Sequence, residues 1–533
     1  MSSHSAIVVG AGAGGITTAA RLAKLGYKVT VIEKNNFLGG RCSLLYHDDF
    51  RFDQGPSLLL MPEVFRQAFR DLGTSLEDEN VRLFKCDPNY RIWFADHDYL
   101  EMSTDLCKMK PQLEHHEGPD GLHSFFQFLK ESGLHYDLSM EHVLTKDFPN
   151  LLAMLRPQLL WSLISLHPFE SMWSRITRYF ESDKMRRAFT FASMYLGMNP
   201  FEAPGTYSLL QYTELAHGIL YPEGGFVKIL EAIAKIGKRL GVEFRLQTEV
   251  ESMIISDGHI GGVRLRSGEE VYADVVVINA DLVYAYNKLL PPTSYAKGLQ
   301  KKPASCSSIS FFWSFDRVIE ELQVHNVFLA EEYKESFDSI FHRHQLPAEP
   351  SFYVNVPSRI DPSAAPKGKD AVVVLVPVGH ITEDASNPQD WDALVARARG
   401  VVFKTIEART GATGLREGLL RESIETPPSW KSKFNLDRGA ILGLSHSFFN
   451  VLSFRPKIRH PDIKGLYFVG ASTHPGAGVP VSLASAKIVS EVIASDMAQG
   501  RSSGRWNIWV LRALVVSFLV ALISILSTSL RID

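Results

Sequence analysis

Cysteine is scarce. The 533-residue chain holds four, Cys42, Cys86, Cys107 and Cys306. None forms a C-x-x-C pair and none neighbours a histidine at zinc spacing. A disulfide scaffold, a dithiol redox centre and a zinc module are thereby excluded, and a reducing compartment fits the thiols. Excess charge of either sign is also missing, with 56 Lys+Arg against 59 Asp+Glu for a net −3. That balance gives no electrostatic hold on a nucleic-acid backbone, so no nucleic acid is expected as a partner. The polar stretch before Ala6 carries no apolar run behind positive charge, so no secretory signal is expected. Gly443-Leu444-Ser445-His446-Ser447 lacks the last glycine of a nucleophile elbow. His115-His116 and His342-Arg343-His344 read as solvated polar loops, and no metal is expected. Against these absences, 45% hydrophobic and 22% charged residues mark a globular chain with enough length for several cores.

One long apolar run stands at the C-terminus. Between Arg512 and Arg531 lie 18 uncharged residues, 513–530, rich in Leu, Val and Ile. Together with Trp506, Ile508 and Trp509 they approach the roughly 20 residues that cross a bilayer core. Trp506 and Trp509 suit the headgroup level, Arg512 suits snorkelling, and Arg501 and Arg505 favour a cytosolic body. The reading is a membrane anchor over 506–530, with a buried or interfacial helix as the alternative.

The N-terminus carries the most specific pattern. Ala6-Ile7-Val8-Val9 reads as a buried parallel strand and runs into Gly10-Ala11-Gly12-Ala13-Gly14-Gly15, a G-x-G-x-x-G match. A helix over 16–25 and a second strand, Lys28-Val29-Thr30-Val31-Ile32, lead to Glu33. Gly10 makes the tight turn, Gly12 lets the backbone approach a pyrophosphate, and Gly15 lets helix pack on strand. The helix N-terminus faces the anion, and Glu33 is placed for ribose hydroxyls. This unit suits FAD or NAD equally. Gly39-Gly40-Arg41 and Phe52-Asp53-Gln54-Gly55-Pro56-Ser57 add contacts for a long cofactor, and no second G-x-G-x-x-G is present. A further strand-to-helix junction runs from Gly465-Leu466-Tyr467-Phe468-Val469-Gly470 through Thr473-His474-Pro475-Gly476-Ala477-Gly478-Val479-Pro480. Residues 242–250 read as one strand, Asp257-Gly258 as a hairpin turn, and Val275-Val276-Val277-Ile278 as a buried strand. Residues 307–315 and 371–378 read as sheet strands, and 151–173 as an apolar helix, either core or an element dipping into a lipid leaflet.

With Tyr221-Pro222-Glu223-Gly224-Gly225 and Asn279-Ala280-Asp281, these motifs make the chain resemble the bacterial and fungal phytoene desaturases of the amine-oxidase-like FAD superfamily, over roughly residues 6–497. Its apolar tail is similar to the fungal members. The resemblance implies an α/β protein. A Rossmann-type FAD-binding domain would be assembled from residues 1–85, 221–289 and 460–500. A mixed-sheet and helical substrate domain would comprise 86–220 and 290–459, followed by the apolar helix at 506–530. It implies FAD held by Gly10, Gly12, Gly14, Gly15, Glu33, Gly39, Gly40, Arg41, Gly55, Pro56, Ser57, Val250, Gly470, Gly478 and Val479, with the backbone at Thr248-Glu249-Val250 near the adenine.

The expected chemistry is dehydrogenation of a long, phytoene-like isoprenoid in successive steps towards lycopene or beyond. Flavin takes a hydride, and an oxygen, quinone or NAD acceptor completes the turnover. Such chemistry needs alignment and dryness more than a strong acid–base pair. Asp183 and Arg186, spaced i, i+3 on a helix over 181–192, are candidates to stand near the flavin, the alternative being a surface ion pair. His474 is a candidate proton relay or a structural hydrogen-bonding group. Location at the cytosolic face of the endoplasmic reticulum or another internal membrane follows from the tail. Two other functions share the pattern. One is a flavin oxidase or saturase acting on an amine or retinoid. The other is a non-enzymatic prenyl-binding protein of the Rab escort or GDP-dissociation-inhibitor kind.

Overall fold

Strands that are covered on both faces need apolar residues at every position, and the runs at Ile7-Val8-Val9 and Val275–Ile278 meet that need. In the computed structural model, which describes residues 4–383 and 388–499, they are neighbours in a five-stranded parallel sheet. Its order is Leu466–Phe468, Val275–Ile278, Ser5–Val9, Lys28–Ile32 and Glu243–Arg245. The helix Ala13–Lys24 crosses one face and packs against the helices Val227–Arg239 and Val479–Gln499. Ile16, Ala19, Leu22, Ile229, Ile233, Leu483 and Val489 share one core there with Val8 and Val31. Full burial of one such Leu or Ile side chain is worth about 1.5–3 kcal/mol. The opposite face is covered by a three-stranded antiparallel sheet, Val250–Ser256, His259–Leu265 and Glu270–Tyr272. Its first hairpin turns at Asp257-Gly258, both at positive φ as a tight type I′ turn requires.

A second, seven-stranded sheet lies outside this unit. It runs Leu419–Glu425, Ser307–Phe315, Ala371–Val378, Phe352–Asn355, His325–Phe328, Tyr90–Trp93 and Tyr99–Met102. Its pairs are antiparallel except that His325–Phe328 runs parallel to Tyr90–Trp93. Ala398, Val402, Phe403 and Ile406 of the helix Trp391–Thr410 join this sheet's core, and Phe403 stacks on Trp313 with ring centroids 4.4 Å apart. Helices between residues 106 and 217 form the remaining layer.

Several expected elements are broken where local geometry demands it. Residues 242–250 are two strands in different sheets, because Gln247 takes a left-handed conformation between Glu243–Arg245 and Val250–Ser256. The apolar stretch 151–173 is not one helix. It divides into a 3₁₀ turn Leu151–Leu155 and the helices Pro157–Leu166 and Met172–Ile176. Pro157 starts a helix because it has no N–H to donate backwards. Left-handed His167, followed by Pro168, ends it. The helix expected over 181–192 spans Asp183–Thr190 and tightens to 3₁₀ over Phe191–Leu196. No helix among the described residues is long and apolar enough to cross a membrane. The expected apolar helix at 506–530 lies outside the described residues.

Candidate active site

The glycine turn after the first strand is held by short backbone links. Gly10 N–H donates to Ile32 O (2.8 Å) and Gly39 N–H to Ala11 O (2.8 Å), so the second glycine pair is stitched to the first. The helix Ala13–Lys24 has Gly12 at its N-cap, without a side-chain cap. Its positive end therefore faces the cavity whose wall includes Gly12, Ala13 and Gly14. Gly15 does not line that cavity. A Cβ there would stand 2.1 Å from Gly10 O, so glycine is required for close packing. The same reasoning holds at Gly55, where a Cβ would meet Arg41 O at 2.2 Å.

Glu33 is buried at the end of the second strand. One carboxylate oxygen accepts from Ala11 N–H and the other from Asn35 N–H, each at 2.8 Å. The carboxylate is thereby oriented while it keeps lone pairs for a hydroxyl donor. Gln247 and Thr248 bond back to Asn35 O (2.9 Å) and Glu33 O (2.8 Å), which sets Thr248, Glu249 and Val250 in the same wall.

One cavity of about 460 Å³ runs from this end into the second unit. Gly10, Gly12, Gly14, Glu33, Gly39, Gly40, Arg41, Gly55, Pro56, Ser57, Val250, Gly470, Gly478 and Val479 all line it. The far end is apolar, with Leu58, Leu60, Phe191, Met194, Leu196, Leu210 and Phe226, and Tyr195 and Tyr353 beside them. Such a cavity, largely apolar with a few convergent polar groups, suits a bound organic molecule.

Three holding residues were not singled out by the sequence. Asn279 accepts from Gly15 N–H (2.7 Å) and donates to Val469 O (3.0 Å), tying the glycine turn to the C-terminal strand. It stands in a quoted motif, but its role needed the topology. His446 lies in the failed elbow motif and accepts from Ala477 N–H at 3.0 Å. Its burial, with the Arg455 charge beside it, holds the ring well below the usual imidazole range and therefore neutral. Arg455 is fully buried and turns its donors to five carbonyls, of Leu444, Ser445, Asn450, Ala471 and Thr473. The one signal in sequence was an arginine in the run Phe454-Arg455-Pro456. Arg41 donates to Ile441 O, and half-buried Asp281, pushed up to about 6 by desolvation, lies near it.

Asp183, Arg186 and His474 are not brought to the cavity. Asp183 is 55% exposed and pairs with Arg187, one turn on, rather than with Arg186. Arg186 turns back to donate to Phe180 O (2.7 Å). His474 is buried against Phe148, its Nε2 2.8 Å from Lys146 O, and burial lowers its pKa to about 4. His115 and His116 sit on the helix Leu106–Glu117, not on a loop, and lie close to Asp98. Lys184 already occupies that carboxylate at 2.8 Å. A second group, Glu131, His135 and His167, is similarly engaged. Arg175 and the Tyr179 hydroxyl take Glu131, and both His135 nitrogens bond within the fold, to Ser208 Oγ and Ser165 O.

The flavin containing amine oxidoreductase family matches residues 13–494. The phytoene desaturase of Fusarium fujikuroi is 57% identical over 510 residues, covering 92% of this chain and 89% of that protein. The phytoene desaturase of Neurospora crassa is 54% identical over 517 residues, covering 95% and 87%. The chain belongs to the phytoene desaturases of the flavin containing amine oxidoreductase family. Among solved structures, cyclohexylamine oxidase from Brevibacterium oxydans superposes with a TM-score of 0.58 at 15% identity, over 93% of this chain and all of that one, a likeness of fold alone. Phytoene desaturases of this family carry FAD, and the donor set of the cavity fits it. The uncapped helix end would meet a pyrophosphate, Glu33 a ribose, and the wall at Gly470, Gly478 and Val479 a flat ring.

Proposed function

We propose that the chain dehydrogenates phytoene in successive steps towards lycopene or further desaturated products. The observation that carries this reading is the single cavity joining a dinucleotide-type end at Gly10 and Glu33 to an apolar wall at Phe191, Met194 and Leu210. Bound FAD supplies a hydride acceptor. Gly10, Gly12, Gly14 and the helix end would receive its pyrophosphate, Glu33 would orient its ribose, and Val250 would lie by the adenine. Gly55, Pro56, Ser57, Gly470, Gly478 and Val479 would enclose the ring end, and Gly39, Gly40 and Arg41 the stretch between. Leu58, Leu60, Leu196 and Phe226 exclude water and align the polyene, which is most of what an allylic dehydrogenation asks of a protein. Arg455, His446 and Asn279 hold the glycine-rich wall around Val469, Ala471, Thr473 and Ala477 in place. Turnover would need an electron acceptor of the oxygen, quinone or NAD class. The relatives' identity favours this reading over an amine or retinoid oxidase and over a prenyl-binding escort protein.

The substrate is dissolved in lipid, and we place the chain at the cytosolic face of an internal membrane such as the endoplasmic reticulum, anchored by residues 513–530. A second support is the apolar surface around the helix Pro157–Leu166, where Trp161 is 75% and Ile164 60% exposed. Phe169 and Phe449 extend it, bridged by Phe448. Expression in a phytoene-producing host tests the reaction, with pigment absorbing at longer wavelength as the expected result. Unchanged phytoene would contradict it. Carbonate washing of a chain ending at Gly500 tests the anchor. Release to the soluble fraction supports it, and full retention transfers the role to the Trp161 surface.

A further inference from the structure

A carboxyl stands buried beside the apolar end of the cavity with no counter-ion. Glu214, on the short π-helical turn Thr213–His217, has no exposed surface. Its Oε2 accepts from the Tyr90 hydroxyl at 2.8 Å. Its Oε1 takes part in no hydrogen bond, and the Tyr195 phenol lies beside the carboxyl. Tyr195 belongs to the cavity wall, next to Met194 and Leu196. Among the described residues Glu214 forms no ion pair. The groups facing it are the phenols of Tyr90, from the strand Tyr90–Trp93, and of Tyr195, from the turn Phe191–Leu196, with the neutral Asn89 side chain on its backbone carbonyl at 2.7 Å. Tyr353 follows beyond Tyr195, bonded to Ser57 Oγ and to His325 Nδ1, each at 2.7 Å. Burial keeps His325 neutral, with a pKa near 3, so it adds no charge.

Removing a hydride from one carbon of a polyene leaves a cation that must lose a proton from the next. The cavity wall offers few atoms able to take it, and a buried carboxyl without a counter-ion, one phenol away, is an apt receiver. We propose that Glu214, acting through Tyr195, receives the proton released in each dehydrogenation; this rests on the function proposed above. The hydride would pass to the flavin that the cavity holds. The neighbouring C–H bond then breaks, and its electron pair becomes the new double bond. Its proton passes to Tyr195 Oη while the phenol proton passes to the Glu214 carboxylate; once product has left, the acid returns a proton to the phenol and the phenol gives one to water entering the cavity. Glu214 is thus a positioning residue for the proton's path. Desolvation pushes its carboxyl up to about 7, against the pull of the Tyr90 and Tyr195 hydroxyls. The receiving form therefore fills as pH rises through that value.

The test compares wild type, Glu214→Gln and Tyr195→Phe as FAD-loaded proteins in phosphatidylcholine vesicles containing phytoene. In wild type, turnover should rise through about pH 7, and a protonated-carboxyl infrared band should disappear over the same interval. Glu214→Gln should lose both, with turnover at pH 8 down at least about a hundredfold. Tyr195→Phe should keep the titrating band and lose the turnover limb, which a merely structural role would not produce. Where Glu214→Gln fails to fold, Tyr195→Phe decides alone. Retention of the wild-type profile by either folded variant, or a band that survives Glu214→Gln, overturns the proposal. Absence of turnover in wild type instead overturns the desaturase reading.

Discussion

Replacing Arg455 by Met removes a cation that lies under the Gly-rich wall of the cavity. A guanidinium has five N–H donors, and Arg455 directs them at five backbone carbonyls. Nε reaches Thr473 O at 3.0 Å. Nη1 reaches Ser445 O at 3.1 Å and Asn450 O at 2.8 Å, and Nη2 reaches Leu444 O at 3.2 Å and Ala471 O at 2.5 Å. Burial lowers its pKa only to about 10, so it stays charged at neutral pH. Ser445 O keeps a second donor, the Asn450 side-chain amide at 2.7 Å. The other four carbonyls lose the Arg455 donor, at roughly 1 kcal/mol or more each. The expected cost is about 4 kcal/mol, in the range that marks a broken buried polar network. Lysine keeps the charge with three donors, so Arg455→Lys should cost about half as much. Urea midpoints of purified protein measure both losses. Flavin retained through gel filtration measures the local effect, because Ala471 and Thr473 belong to the cavity wall. A loss below about 1 kcal/mol for Arg455→Met, with flavin fully retained, would refute the reasoning.

Gly15→Ala should lose bound flavin relative to wild type, since its Cβ would stand 2.1 Å from the Gly10 carbonyl oxygen. The ratio of flavin to protein absorbance reads this directly, and equal retention would contradict it. Asp183→Asn should change turnover less than about twofold, because an exposed ion pair with Arg187 contributes little. A tenfold loss would place Asp183 in the chemistry after all. His474 is neutral when folded, with a pKa near 4 against 6.5 in the unfolded chain. The unfolded state therefore binds more protons between those values, and stability falls as pH drops from 6.5 to 4. Relative to His474→Gln, wild type should lose up to about 1.4 kcal/mol per pH unit over that window, read from urea midpoints. A constant difference would mean that the ring is charged in the fold.

The nucleotide end was legible because each part of it is local. Ile7-Val8-Val9, the glycines, the following helix and Glu33 are consecutive, and each has one physical use. The strands Val275–Ile278, Ser307–Phe315 and Ala371–Val378 announced themselves in the same way, as apolar runs. What the sequence hid depends on contacts between distant segments. Asn279 reaches Gly15 across 264 positions. Arg455 finds its carbonyls only after the 444–450 and 471–473 segments meet. Asp183 and Arg186 show the limit of a shared helix face. Spacing put them together, but Arg187 lies one full turn from Asp183 and takes its carboxylate. Glu214 was invisible because a glutamate in a mixed polar and apolar stretch carries no sign that both its ends will be enclosed.

The central claim is that one cavity sets a polyene against a bound flavin. Anaerobic addition of phytoene, carried in lipid vesicles, to the FAD-loaded chain tests it most directly. The account predicts bleaching of the oxidised flavin absorbance together with a product absorbing at longer wavelength than phytoene. A chain that holds FAD and shows no bleaching with phytoene or any other carotenoid precursor would contradict it.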